Sequence, residues 1–78
     1  MESTKVLAER ALAFIKREAA ERGVKTPAGT SVQLKLSKQD IATLLGMSRA
    51  EATRALNALR SEGIIRLEGS TVILLRDE

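Results

Sequence analysis

Histidine and cysteine are both absent from this 78-residue chain. The commonest general base, the commonest metal ligand and every thiolate are therefore missing. Acid–base work would fall to carboxylates, and those of the second half are Asp40, Glu51, Glu62, Glu68, Asp77 and Glu78. None stands beside a plausible nucleophile or at metal-ligand spacing, so an enzyme is not expected. The side chains with usable chemistry are hydrogen-bond donors gathered on one short stretch: Arg49, Thr53, Arg54 and Asn57, with Ala50 among them. At about 100° per residue these five share one side of a helix, opposite Ala52, Ala55, Leu56 and Leu59. A guanidinium fork fits two acceptors side by side, and the major-groove edge of guanine offers such a pair in O6 and N7. Arg54 is the first candidate for that contact and Arg49 the second. Thr53 can bond a base edge or a phosphate. Asn57 can read adenine or reach the backbone, and Ala50 can lie against a thymine methyl but donates nothing.

Such a face works only on a helix held at a defined angle, and the residues just upstream supply the means. Ser37-Lys38-Gln39-Asp40 and Ser48-Arg49-Ala50-Glu51 each place a hydroxyl at an N-cap and a carboxylate three residues on. In a capping box the two satisfy each other's orphan amides. Glu or Gln is the usual partner, so the Asp40 box is expected to be the weaker. Gly46 between them can take the left-handed conformation that ends a helix. The spacing predicts one helix over about Lys38–Leu45, with Ile41, Ala42, Leu44 and Leu45 buried, and a second over about Arg49–Glu62, ended by Gly63. The amides opening the second helix, with Ser48, suit a phosphate. A short helix, a Gly turn and a capped second helix together predict a helix-turn-helix.

The rest of the chain frames that motif. Ser3 to about Arg22 predicts a first helix from the spacing of Leu7, Ala8, Ala11, Leu12, Ile15 and Ala19, widened by Val6 and Phe14 and stopped by Gly23. Lys5, Glu9, Arg10, Lys16, Arg17 and Glu21 are expected on its solvated faces, and Glu18 with Arg22 forms an i,i+4 ion pair. Val24–Ser31 is expected to be loop, turning at Thr26-Pro27-Ala28-Gly29-Thr30. Val32, Leu34 and Leu36 alternate as a short strand. Ile64–Leu67 and Thr71–Leu75 predict a hairpin around Glu68-Gly69-Ser70. The order helix, strand, helix, helix, strand, strand is that of an α+β winged helix-turn-helix: three helices, a short strand and a C-terminal β-hairpin wing. Residues 1–78 form one domain in this reading.

A formal charge of +3 suits a nucleic-acid partner. A single aromatic residue, Phe14, argues against a stacking platform for single strands. No apolar run approaches a membrane span, and the N-terminus lacks the apolar core of a signal peptide, so no membrane partner and a cytoplasmic location are expected.

Lys35–Leu75 resembles the C-terminal winged helix-turn-helix of the cyclic-AMP receptor protein and FNR family of bacterial transcription regulators. The residues that carry the resemblance are Leu36–Ala42, Leu45-Gly46-Met47-Ser48-Arg49, Arg54 and Leu59–Ile65. The upstream helix, Thr-Pro-x-Gly loop and short strand also fit, so the resemblance covers nearly the whole chain. It implies sequence-specific binding of double-stranded DNA in transcription regulation, with a homodimer on a two-fold site as one expected assembly. It implies base or nearby phosphate contacts for the residues matching Arg49 and Arg54. It implies backbone contacts for Ser37, Lys38, Gln39 and Ser48, and a phosphate contact for Thr71 of the wing; Ser70 beside Thr71 is also expected to contact phosphate. Two departures stand out. The family often carries a cytosine-reading Glu where this chain has Ala50, so a different half-site is expected, and the wing is less basic than many. The family's upstream sensor domain and dimerisation helix are not in this sequence, which is expected to be an excised domain or a small stand-alone protein. No cyclic nucleotide, haem or iron–sulfur cofactor and no small-molecule effector is accordingly expected on it. The competing expectation is a protein-interaction or dimerisation module that uses the apolar side of the first helix.

Overall fold

The computed structural model describes residues 3–75, so Asp77 and Glu78 lie outside the described residues. The elements are α1 (Thr4–Arg22), β1 (Val24–Thr26), β2 (Gly29–Gln33), α2 (Lys38–Leu45), α3 (Arg49–Ser61), β3 (Ile65–Glu68) and β4 (Thr71–Leu74). The α+β winged helix-turn-helix expected from the sequence is present, with one strand more than expected. All four strands join one antiparallel sheet in the order β1-β2-β4-β3.

α1 begins where Ser3 accepts from the Val6 amide at 3.2 Å. It buries Leu7, Ala8, Ala11, Phe14 and Ile15. Val6 does not widen this stripe: it is 39% exposed, because it lies about 140° from the stripe's centre. Glu18 and Arg22 form the expected ion pair. The helix ends at Gly23 in ordinary extended conformation, not a left-handed one. Glycine serves there because a Cβ would collide with the Thr30 methyl and the Ala19 carbonyl.

The segment expected as loop is a hairpin. Val24, Lys25 and Thr26 pair with Ser31, Thr30 and Gly29, leaving Pro27 and Ala28 as a two-residue loop. Such loops favour positive φ at their central residues, which Pro27 cannot adopt. The tight turn is held instead by Thr26, whose hydroxyl donates to the Gly29 carbonyl at 2.9 Å and accepts from its amide at 3.2 Å, and by Gly29 at φ 147°. A Cβ on Gly29 would also run into the backbone carbonyl of Leu74, where β2 meets β4. Gly29→Ala is therefore expected to destabilise the domain by about 1–3 kcal/mol. Thermal unfolding checks this, since about 1 kcal/mol moves the midpoint of a domain this size by roughly 4–8 °C.

Leu7, Ile15, Val32, Leu59, Ile65 and Leu74 are almost fully enclosed, placing one core between α1, α3 and the sheet. Thr30 is the buried polar residue of this core, and no buried side-chain nitrogen or oxygen lacks a partner among the described residues. The expected strand Val32–Leu36 stops at Gln33, but the Leu34 amide still donates to the Ser70 carbonyl at 3.0 Å. The chain thus runs along the wing before it enters α2.

Candidate nucleic-acid interface

Both capping boxes form. The Ser37 hydroxyl accepts from the Asp40 amide at 3.1 Å, and the Ser37 amide donates to Asp40 Oδ2 at 3.2 Å. In the second box the Ser48 hydroxyl accepts from the Glu51 amide at 3.1 Å, and the Ser48 amide donates to Glu51 Oε1 at 2.8 Å. The shorter aspartate reaches back less closely, in line with its expected weakness. Between the boxes Gly46 is left-handed at φ 69° and ψ 36°. The Met47 amide donates to the Ala42 carbonyl at 2.9 Å and the Gly46 amide to Thr43 at 3.3 Å. That is the Schellman pattern, and the residue after Gly46, Met47, is buried as the pattern favours.

The turn presents α3 with Ala52, Ala55, Leu56 and Leu59 inward, as its periodicity predicts. α2 contributes Ile41 and Ala42 to the core, and Leu45 packs at its margin. Leu44 was expected on this side but is 62% exposed. With only eight residues in the helix, the buried arc centres near Ile41 and Leu45, and Leu44 lies about 100° off it. The alanines Ala42, Ala52 and Ala55 keep the facing surfaces thin.

Arg49, Ala50, Arg54 and Asn57 are exposed on the outer side of α3, and Thr53 is half-buried at its margin. Neither Arg49 nor Arg54 has a hydrogen bond or salt bridge among the described residues. Both guanidinium forks are thus free of hydrogen bonds, with Arg54 exerting only a charge attraction on Glu51. Ser37, Lys38, Gln39 and Ser48 are also exposed, with differing donor capacity. The Ser37 and Ser48 hydroxyls already accept within their own boxes, so the free amides of the two helix starts and the Lys38 ammonium remain for an anion. The Gln39 side-chain amide touches the Thr43 hydroxyl only distantly, at 3.5 Å.

In the wing, Glu68 pairs with Thr71, and Gly69 takes φ 63° at the first of two loop positions, where a primed turn requires it. Ser70 is exposed and Thr71 half-buried. Thr71 sits in a central strand, matched to Gln33 on one side and Glu68 on the other. Lys38, Gly69 and Ser70 line one small hollow of about 80 Å³ floored by Leu34, Ile41 and Leu56. The start of α2 and the wing tip therefore border the same hollow. Arg66 lies 3.6 Å from Glu68, which offsets the wing's positive charge.

The Ser48 backbone N–H holds the Glu51 carboxyl below its ordinary value of 4.5, helped by the Ser48 hydroxyl and by the Arg54 guanidinium. A carboxyl lowered on folding adds stability that is complete above its unfolded value and is lost as pH falls through the folded one. Ser48→Ala removes the cap and is expected to cost about 1 kcal/mol. That variant keeps the backbone amide that donates to Glu51, so the pH test uses Glu51→Gln: in urea titrations its gap from the parent should narrow as the pH drops through the Glu51 range.

One side chain at the turn escaped the sequence. Arg10, expected on a solvated face of α1, is half-buried and donates from Nη2 to the Leu45 carbonyl at the end of α2. The available signal was its place at the edge of the apolar stripe, next to Phe14 on the helical wheel. Among the described residues no three His, Cys, Asp or Glu side chains could share a metal ion, and no helix is long and apolar enough to cross a membrane.

The model of the Crp-like helix-turn-helix domain matches residues 7–78. The chain belongs to that family. The Crp-like relatives include the CRP-like protein Clp of Xanthomonas campestris pv. campestris, 44% identical over 48 residues, which are 62% of this chain and 20% of that protein. The chain thus spans about a fifth of the curated relatives it matches. Among solved structures, the CO-dependent transcription factor CooA of Carboxydothermus hydrogenoformans, in its imidazole-bound form, superposes with a TM-score of 0.79 at 30% identity, covering 92% of this chain and 33% of CooA. A CooA double mutant gives 0.83 at 29% identity, covering 91% and 33%. Reduced CprK without ligand shares the fold, with a TM-score of 0.81 at 18% identity over 92% of this chain and 35% of CprK. The Crp-like assignment agrees with the resemblance carried by the turn and with the winged architecture.

Proposed function

We propose that residues 1–78 form one Crp-like domain that binds double-stranded DNA sequence-specifically in transcription regulation, with α3 in the major groove. Arg54 and Arg49 read guanine, Ala50 lies toward a thymine methyl, and Thr53 and Asn57 make further base or backbone contacts. Ser37, Lys38, Gln39, Ser48, Ser70 and Thr71 face phosphates.

One observation carries this reading. Both helices of the motif begin with a cation directly after the cap, Lys38 on α2 and Arg49 on α3. A helix start bears partial positive charge and favours anions, so a cation there opposes the fold. Local rules broken without a structural gain mark sites shaped by a ligand. A polyanion laid across the two helix starts turns both costs into attraction.

Lys38→Gln is therefore expected to raise stability by about 0.3–1 kcal/mol. The same change should weaken binding to all duplexes alike and reduce the salt dependence by about one phosphate. Denaturant unfolding and anisotropy titrations over a range of salt measure the two effects. Selection of duplexes from a random pool, followed by anisotropy against selected and random sequences, tests the function itself. A chain that shows no preference between them is not a sequence-specific binder. Two copies on a two-fold site would set their α3 helices about 34 Å apart, and the half-site spacing of the selected duplexes reports it.

The rival use of the α1 stripe for self-association is disfavoured by its burial: Leu7, Ala8, Ala11, Phe14 and Ile15 are already in the core.

A further inference from the structure

We propose that Arg10 is a positioning residue that sets the angle at which α3 is presented, acting through the turn and not through any contact with DNA. The proposal rests on the DNA-binding reading above. The Schellman pattern uses the Ala42 and Thr43 carbonyls and leaves the last carbonyl of α2, that of Leu45, to find its own partner. α1 supplies it: the Arg10 guanidinium donates to Leu45 O. The guanidinium also lies against the glycine of the turn, since a Cβ on Gly46 would lie 3.6 Å from Arg10 Nη2. Arg10 thus sits beside the left-handed turn at Gly46. Its charge sits at the negative end of α2, where a cation is favourable.

The geometry gives α3 two separate restraints. Its body is held to the core through Ala52, Ala55, Leu56 and Leu59. Its N-terminal end, which carries Arg49, Ala50 and Arg54, is held through the turn. Apolar packing resists separation of helices but tolerates small rotations, whereas a charge-assisted hydrogen bond to one carbonyl is directional. Removing Arg10 leaves the first restraint intact and loosens the second. Base contacts need accurate placement and phosphate contacts do not, so the loss falls on discrimination.

The test uses the full chain with Arg10→Met, which keeps the apolar stem, and Arg10→Lys, which keeps a donor. In Arg10→Met the Gly46, Met47 and Ser48 amides should exchange roughly tenfold faster while the sheet amides are unchanged. Affinity for a selected duplex should fall about tenfold and affinity for a random duplex by less than about twofold, with Arg10→Lys in between. Unchanged turn exchange, or equal loss on both duplexes, overturns the proposal. If Arg10→Met does not fold, the unaltered chain decides: Arg10 guanidinium protons that exchange as fast as those of exposed Arg60 also overturn it. If the unaltered chain does not discriminate between duplexes, the DNA reading fails, and the exchange measurements still judge the hold of Arg10 on the turn.

Discussion

Arg54→Ala lowers affinity for the selected duplex by about tenfold to a hundredfold, or about 1–3 kcal/mol, the worth of one bidentate guanine contact. Affinity for random duplexes falls far less, because that binding comes from phosphates. The size of the effect follows from two features of the residue. Its guanidinium makes no hydrogen bond or salt bridge among the described residues, only a charge attraction to Glu51, so no internal bond has to break before binding. Its place on the first turns of α3 is fixed from both sides, by the Ser48 box below and the buried alanines behind. Side-chain ordering is then the main entropic cost of the contact. Arg60→Ala, exposed on the same helix but toward its far end, controls for loss of charge alone and should leave the preference unchanged. Equal loss on both classes of duplex would make Arg54 a phosphate contact. No loss on either would remove it from the interface.

Ile15→Ala is expected to be the most damaging single change to stability, at about 2–5 kcal/mol. Ile15 is 1% exposed, and the cavity left by its lost side-chain atoms cannot refill from a core that is already close-packed. A 78-residue domain buries only roughly 60–65% of its unfolded surface, and total stabilities are about 5–15 kcal/mol. The change can thus consume a large part of the whole. Its chief interest is where the residue sits: on α1, outside the helix-turn-helix. If chemical denaturation shows the turn and α3 unfolding together with α1, the helix is part of the cooperative unit. If the variant keeps a native-like melt and only α1 frays, α1 is an appendage and its buried stripe has been misjudged.

The helix-turn-helix was legible almost to the residue because its determinants are local. Each capping box spans four residues, and Gly46 signals its own conformation. The outward side of α3 was legible as well, since burial follows helical phase once the inward alanines and leucines are located. β1 was not. A three-residue edge strand has no periodicity to detect, and Thr26-Pro27-Ala28-Gly29 has the same composition whether it closes a hairpin or begins a loop. Leu44 failed because a two-turn helix buries a narrower arc than its apolar count suggests. The shared hollow of Lys38 and Ser70, and the reach of Arg10 to Leu45, depend on how distant segments register. Ser70 is drawn to the start of α2 by its bond to Leu34 and by the pairing of Thr71 with Gln33. No pattern within either segment encodes that.

The order of strands in the sheet has a consequence for how the molecule is made. β1–β2 and β3–β4 are each closed by two-residue loops and can form within roughly 1–10 μs. The seam between β2 and β4, from Thr30–Leu74 to Gln33–Thr71, is the non-local pairing that joins them, and it waits on closure of everything between. During synthesis the inner edge of β2 therefore stays unpaired while α2, the turn and α3 emerge. The helices can form early, but the platform that orients them is complete only after β4 has left the ribosome.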